Sequence, residues 1–135
     1  MIRIAQAPLV LASGSAARRE MLRNAGVEFT VMATDLDEAP IKARALKTNT
    51  DVRDLAVTLA EAKARAAAAE QPRAWVLGAD QVLVCDGVLF DKARDIIEAK
   101  ETLRSLSGRK HELYAAACIV RNGHVVWRNV STAQM

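Results

Sequence analysis

The sequence predicts an α/β protein, a mixed β-sheet with flanking helices. Three observations predict it. Apolar runs of strand length (residues 9–12, 75–85 and 111–121) alternate with segments of helical period. Asp86-Gly87 and Asn122-Gly123 are two-residue turn signals between apolar runs, the mark of hairpins. The resulting order, β-α-β-α-β-β-α-β-β, combines crossovers with hairpins, and such a chain makes a mixed sheet.

The first unit is the most informative. Leu9–Ala12 is a short apolar strand that breaks at Ser13-Gly14-Ser15. Beyond the break, Ala17, Met21, Leu22 and Ala25 fit one helical face, and Gly26 stands where a C-terminal cap would. A small-residue loop between strand and helix leaves backbone N–H groups free at the positive end of the helix dipole, a natural seat for an anion. Arg18 and Arg19 follow in the first turn, where cations oppose the dipole. A bound polyanion would account for them.

The rest follows in order. Residues 28–33 (EFTVMA) read as a short strand and 34–40 (TDLDEAP) as an acidic loop. The stretch to Asn49 is polar, irregular or a short helix. Thr50-Asp51 offers an N-cap for a long helix from Val52 to Ala69, and Pro72 punctuates it. Residues 75–85 are nearly continuously apolar, as in a strand buried on both faces. Asp86-Gly87 turns the chain back through residues 88–90. Asp91-Lys92-Ala93 is a linker, and a helix follows from Asp95 to Leu106, capped by Gly108. Residues 111–121 and 124–130 form the last hairpin.

The 135 residues suffice for one domain with its own core, and no repeat or low-complexity linker divides them. Residues 1–135 read as a single domain. The chain stops directly after a strand, which suggests that further protein should pack there. At 51% hydrophobic it is ordinary for a globular protein. Its net charge of +3 permits an anionic ligand but is too small to argue for nucleic acid. Aromatic residues make up only 4%, which disfavours base-stacking surfaces. Cys85 and Cys118 both sit in apolar runs and read as buried core thiols in a reducing compartment. No signal peptide or apolar span is seen, so the expected location is cytoplasmic, with no membrane partner.

Several charges are out of place. Asp80 and Gln81 interrupt an apolar run. A carboxylate there is costly unless it is paired, bound to metal or protonated. It is either a strand-end or backbone-bonded Asp, or a metal ligand or general base. Arg18 falls on the apolar side of its helix between Leu22 and Ala25, while Arg19 points outward. Arg18 is a snorkelling side chain or a phosphate clamp. Lys63 lies inside the stripe of Val52, Leu55, Ala56, Leu59 and Ala66, either as a flanking lysine or as a ligand group. Asp35, Asp37 and Glu38 could converge on a hard cation or simply be solvated. His111 and His124 lack metal-ligand spacing. Ser13 and Ser15 lack a His/Asp relay. There is no P-loop and no G-x-G-x-x-G motif. Cations and carboxylates recur at element ends, a combination suited to a metal-bridged phosphate chain.

At this point the residues resemble the Maf family of nucleotide pyrophosphatases. LASGSAARREML (residues 11–22) is similar to the family's L-A-S-x-S-x-x-R-R-x-L-L signature. Asp37-Glu38, the LAEAKA helix segment at 59–64, GADQV at 78–82, Asp91-Lys92-Ala93 and LSGRKH at 106–111 resemble its further motifs, in the family's order. The resemblance implies a two-lobed Maf/ITPase-like nucleotide-binding fold, often assembled as a homodimer. It implies metal-dependent hydrolysis of modified or non-standard nucleoside triphosphates to monophosphate and pyrophosphate, with Mg2+, Mn2+ or Co2+. By the same resemblance Asp80 is the catalytic carboxylate, and Glu38 and Asp80 face the metal. Ser13, Ser15, Arg18, Arg19, Lys63, Gln81 and Lys92 hold the substrate. Ala16-Ala17 stand where the family has Pro and a larger residue, Ala93 stands for Pro, and Gln81 resembles the branch associated with 7-methyl-GTP. The base preference stays open. Family members also run on through a C-terminal Gly-rich segment. The alternative is a nucleotide-binding regulator without turnover. A nucleic-acid module is the weakest reading.

Overall fold

Every one of the expected strands is present, and the reasons lie in local chemistry. The computed structural model describes residues 8–34, 36–48, 50–85, 88–90 and 96–134. In chain order these are β1 (Leu9–Ala12), α1 (Ala16–Asn24), β2 (Thr30–Val31), α2 (Ala39–Lys47), α3 (Val52–Ala68), β3 (Trp75–Cys85), β4 (Val88–Phe90), α4 (Ile96–Leu106), β5 (His111–Arg121) and β6 (His124–Gln134). The sheet runs β2-β1-β3-β5-β6, with β4 paired to β3. β1 is parallel to β2 and to β3, and the remaining pairs are antiparallel, so the sheet is mixed.

Asn122 and Gly123 both take positive φ, +52° and +75°, as a tight two-residue hairpin turn requires, and join β5 to β6. Gly26 and Gly108 take positive φ just beyond α1 and α4, the expected helix stops. Asp51 caps α3, its carboxylate accepting from the Arg53 amide at 2.7 Å.

The core lies between the sheet and α3. From α3 come Leu55, Ala56, Leu59, Ala60, Ala64 and Ala67. They face Val10, Ala12, Val76, Val82, Ala116, Cys118 and Val120. The buried stripe is thus turned toward the alanines relative to the expected one, and Ala66 is only half-buried. Small side chains win because the helix and β3 come very close at Gly78. A Cβ there would meet the Ala60 carbonyl oxygen, the Ala64 Cβ at 2.7 Å and the Ala64 nitrogen at 2.9 Å. Cys85 and Cys118 are both buried, and burial pushes the Cys118 thiol up to about 11.

Four expectations need correction. The strand over 28–33 shrinks to Thr30–Val31, an exposed edge paired with β1. The loop expected over 34–40 ends sooner, since Ala39 and Pro40 already belong to α2, the short-helix alternative for the stretch that follows, and Pro40 sits in its first turn, where the missing N–H costs nothing. β3 is not buried on both faces: Val76 and Gly78 are buried under α3, while the alternate positions Trp75, Leu77 and Ala79 are half-exposed. The apolar face drawn for α1 is not a core face, for none of its residues is buried and Met21 is 67% exposed, while Leu22 is half-buried. The Asp86-Gly87 turn and the Asp91–Ala93 linker lie outside the described residues, although β3 and β4 do pair antiparallel on either side of that turn. No helix among the described residues is long and apolar enough to cross a membrane.

Candidate active site

A pocket of about 670 Å³ opens where the β1–α1 loop, the segment before α2, the middle of α3 and the middle of β3 meet. That volume is in the range of small-molecule sites. Its walls carry Ser13, Ser15, Arg18, Glu38, Lys63, Asp80 and Gln81, and Leu55 and Leu59 add apolar surface. Seven of the residues singled out from the sequence therefore reach one cavity. Arg19 is not on its wall, although it is half-buried like Arg18. Lys92 lies outside the described residues.

The loop corner is held by its own side chains. Ser13 is buried, and its hydroxyl oxygen accepts from the Ser15 amide at 3.1 Å and from Arg18 Nη1 at 3.0 Å. The Ser15 hydroxyl oxygen accepts from the Arg18 amide at 3.3 Å and caps α1. The anion seat is thus partly filled by serine oxygens. The amides of Ala16 and Ala17, in the first turn of α1, still have no intrahelical carbonyl to donate to. Arg18 is fixed beside them with donors to spare, since a guanidinium has five.

The carboxylate corner is assembled from distant segments. Lys63 Nζ donates to Asp80 Oδ1 at 2.8 Å and lies 3.2 Å from Glu38 Oε1. The Asp80 side chain is only 12% exposed and that of Lys63 21%. Glu38 Oε1 is buried and receives no well-aligned hydrogen bond, so its contact with Lys63 is one of charge alone. Asp80 pairs across the sheet with Ala116. The close approach at Gly78, two residues before Asp80 on the same face, brings α3 near enough for the 2.8 Å contact.

The Asp37 carboxylate accepts from the Ala39 amide at 3.1 Å and is exposed, Asp35 lies outside the described residues, and Glu38 is the described carboxylate of this loop that enters the pocket. Among the described residues no three His, Cys, Asp or Glu side chains are placed to hold a metal together. Glu38 and Asp80 are the two described carboxylates on the pocket wall.

One wall residue escaped the sequence reading. Lys42 lines the pocket from α2, one helical turn after Glu38. Four-residue spacing puts both on one side. That signal is visible only once residues 39–47 are read as a helix.

The chain has relatives among known proteins. A family model described as Maf-like protein matches residues 8–135. The chain is 45% identical over 127 residues to the 7-methyl-GTP pyrophosphatase of Rhizobium meliloti (strain 1021), covering 94% of this chain and 64% of that protein. It is 44% identical over 128 residues to the nucleoside triphosphate pyrophosphatase of Ruegeria pomeroyi, covering 95% and 64%. A HAM1 protein from Coxiella burnetii shares the fold with a TM-score of 0.56 at 19% identity, covering 96% of this chain and 71% of that one. The chain spans about 64% of the length of the curated relatives it matches.

Proposed function

The chain belongs to the Maf-like protein family, and on that premise we propose that its pocket hydrolyses nucleoside triphosphates to monophosphate and pyrophosphate. One observation carries the reading. A carboxylate pair, Glu38 and Asp80, stands in the same cavity as a cation-bearing loop at a helix N-terminus. Phosphoryl chemistry asks for both: positive groups for the phosphate oxygens, and a carboxylate to position water.

The donor set fits a hard divalent cation. Two carboxylates, one of them with a buried oxygen that receives no hydrogen bond, suit an ion that keeps several waters and takes its other ligands from phosphate. Mg2+, Mn2+ or Co2+ held there would neutralise charge on the phosphate chain. The protein's own groups do the rest. Arg18 and the first amides of α1 bind the phosphate oxygens and fix the chain's direction. Asp80 orients the attacking water and accepts its proton. Lys63 stabilises the departing pyrophosphate. Gln81 lines the same pocket and is placed to meet the nucleoside.

The experiment is pyrophosphate release from GTP, 7-methyl-GTP, UTP and dTTP with each of the three metals, on the protein and on Asp80→Asn. Release that depends on metal and collapses in the variant is expected, and equal rates in the two proteins overturn the role given to Asp80. 7-Methyl-GTP belongs in the panel because Gln81 is on the pocket wall and the Rhizobium relative carries that substrate in its name.

A further inference from the structure

We propose that Lys63 is the built-in cation of the Glu38–Asp80 pair, that a divalent ion displaces it, and that the displaced ammonium then turns to the phosphates. This rests on the metal assignment made above. The observation is the shared occupancy: Lys63 Nζ is 2.8 Å from Asp80 Oδ1 and 3.2 Å from Glu38 Oε1. A metal held by those two oxygens would stand within contact distance of an ammonium bonded to the same atoms. Like charges so close, in a half-buried site, exclude one another. Lysine suits such an exchange, being a compact charge on a flexible four-carbon stem. Once released it stays in the pocket that Arg18 and Ser13 also line.

Two properties follow. Without phosphate the protein binds a divalent ion weakly, because the ion must displace an ammonium that already neutralises its ligands. With phosphate present the ammonium gains a new partner, so metal and polyphosphate help each other bind, by the same factor in both directions. Lys63 is in this sense a positioning residue as well as a phosphate ligand.

Mn2+ binding, followed by electron paramagnetic resonance with and without inorganic tripolyphosphate, tests this on the whole chain. Lys63→Met is expected to tighten Mn2+ binding in the absence of phosphate by about ten-fold or more, and to abolish the mutual enhancement with tripolyphosphate. Lys42→Met removes the same charge from the same pocket without touching Asp80 Oδ1, and is expected to tighten Mn2+ binding by less than about three-fold. Equal effects of the two substitutions, or an unchanged affinity in Lys63→Met, overturn the proposal. Lys63→Gln keeps a hydrogen-bond donor without the charge, serves if the methionine variant does not fold, and is judged by the same two outcomes. Glu38→Gln and Asp80→Asn separate the layers. Mn2+ binding that survives both overturns the metal assignment and this proposal with it. Binding lost in both, yet unaltered in Lys63→Met, overturns this proposal alone.

Discussion

The two corners of the pocket are built over very different distances along the chain. The loop corner is complete within six residues: Ser13, Ser15 and Arg18 hold one another through three hydrogen bonds. The carboxylate corner needs three separate segments, Glu38 before α2, Lys63 on α3 and Asp80 on β3. The first is a property of a strand–loop–helix unit. The second exists only when α3 docks on the sheet, and its geometry depends on the absence of a side chain at Gly78. Binding of the phosphates and positioning of the water are therefore expected to fail separately.

The sharpest test of that division is Asp80→Asn. It keeps the shape and removes the charge, and pyrophosphate release is expected to fall about 10³-fold. The next largest effect belongs to Gly78→Ala, which changes no wall residue. Its methyl group meets backbone and Cβ atoms of α3 that cannot step aside. A loss of about 3 kcal/mol in urea unfolding is expected, and kcat should drop while tripolyphosphate binding measured without divalent ion is largely kept. If binding and kcat fall together, the corners are not separable. Arg18→Gln attacks the other side. KM for the nucleotide is expected to rise about ten-fold with kcat little changed. A kcat loss as deep as that of Asp80→Asn would erase the distinction between the corners. Ser15→Ala is the mildest. It removes the α1 cap at a cost of about 1 kcal/mol, read as a fall in Tm, and leaves the carboxylate corner untouched.

The same division explains what could be read from the residues alone. The loop corner was legible because its signals are contiguous: an apolar run, small residues, then arginines against a helix dipole. The Asp51 cap of α3 and the Asn122-Gly123 turn were legible for the same reason. Lys63 and Asp80 each stood out singly, as charges on apolar faces, but their bond joins a helix to a strand, and periodicity carries no information on that register. The direction of Glu38 and the part played by Lys42 were hidden because the short helix offered after Pro40 had no fixed start, and its start at Ala39 shows only once Pro40 is recognised as a first-turn residue. The half-exposed face of β3 was misread because an apolar run looks the same whether one side is covered or two.

The direction change at β3 has a consequence for how the site comes into being. β5 and β6 meet across two residues, and β3 and β4 are equally local, so these ladders close quickly. The parallel pairing of β1 with β3 joins Leu9 to Trp75 and cannot form until everything between them has been gathered in. Contacts so distant in sequence belong to the late part of a folding reaction. Because the pocket lies between the end of β1 and the middle of β3, the capacity to bind a phosphate chain is expected to be acquired late, and a ligand that needs both corners then reports on the completed fold.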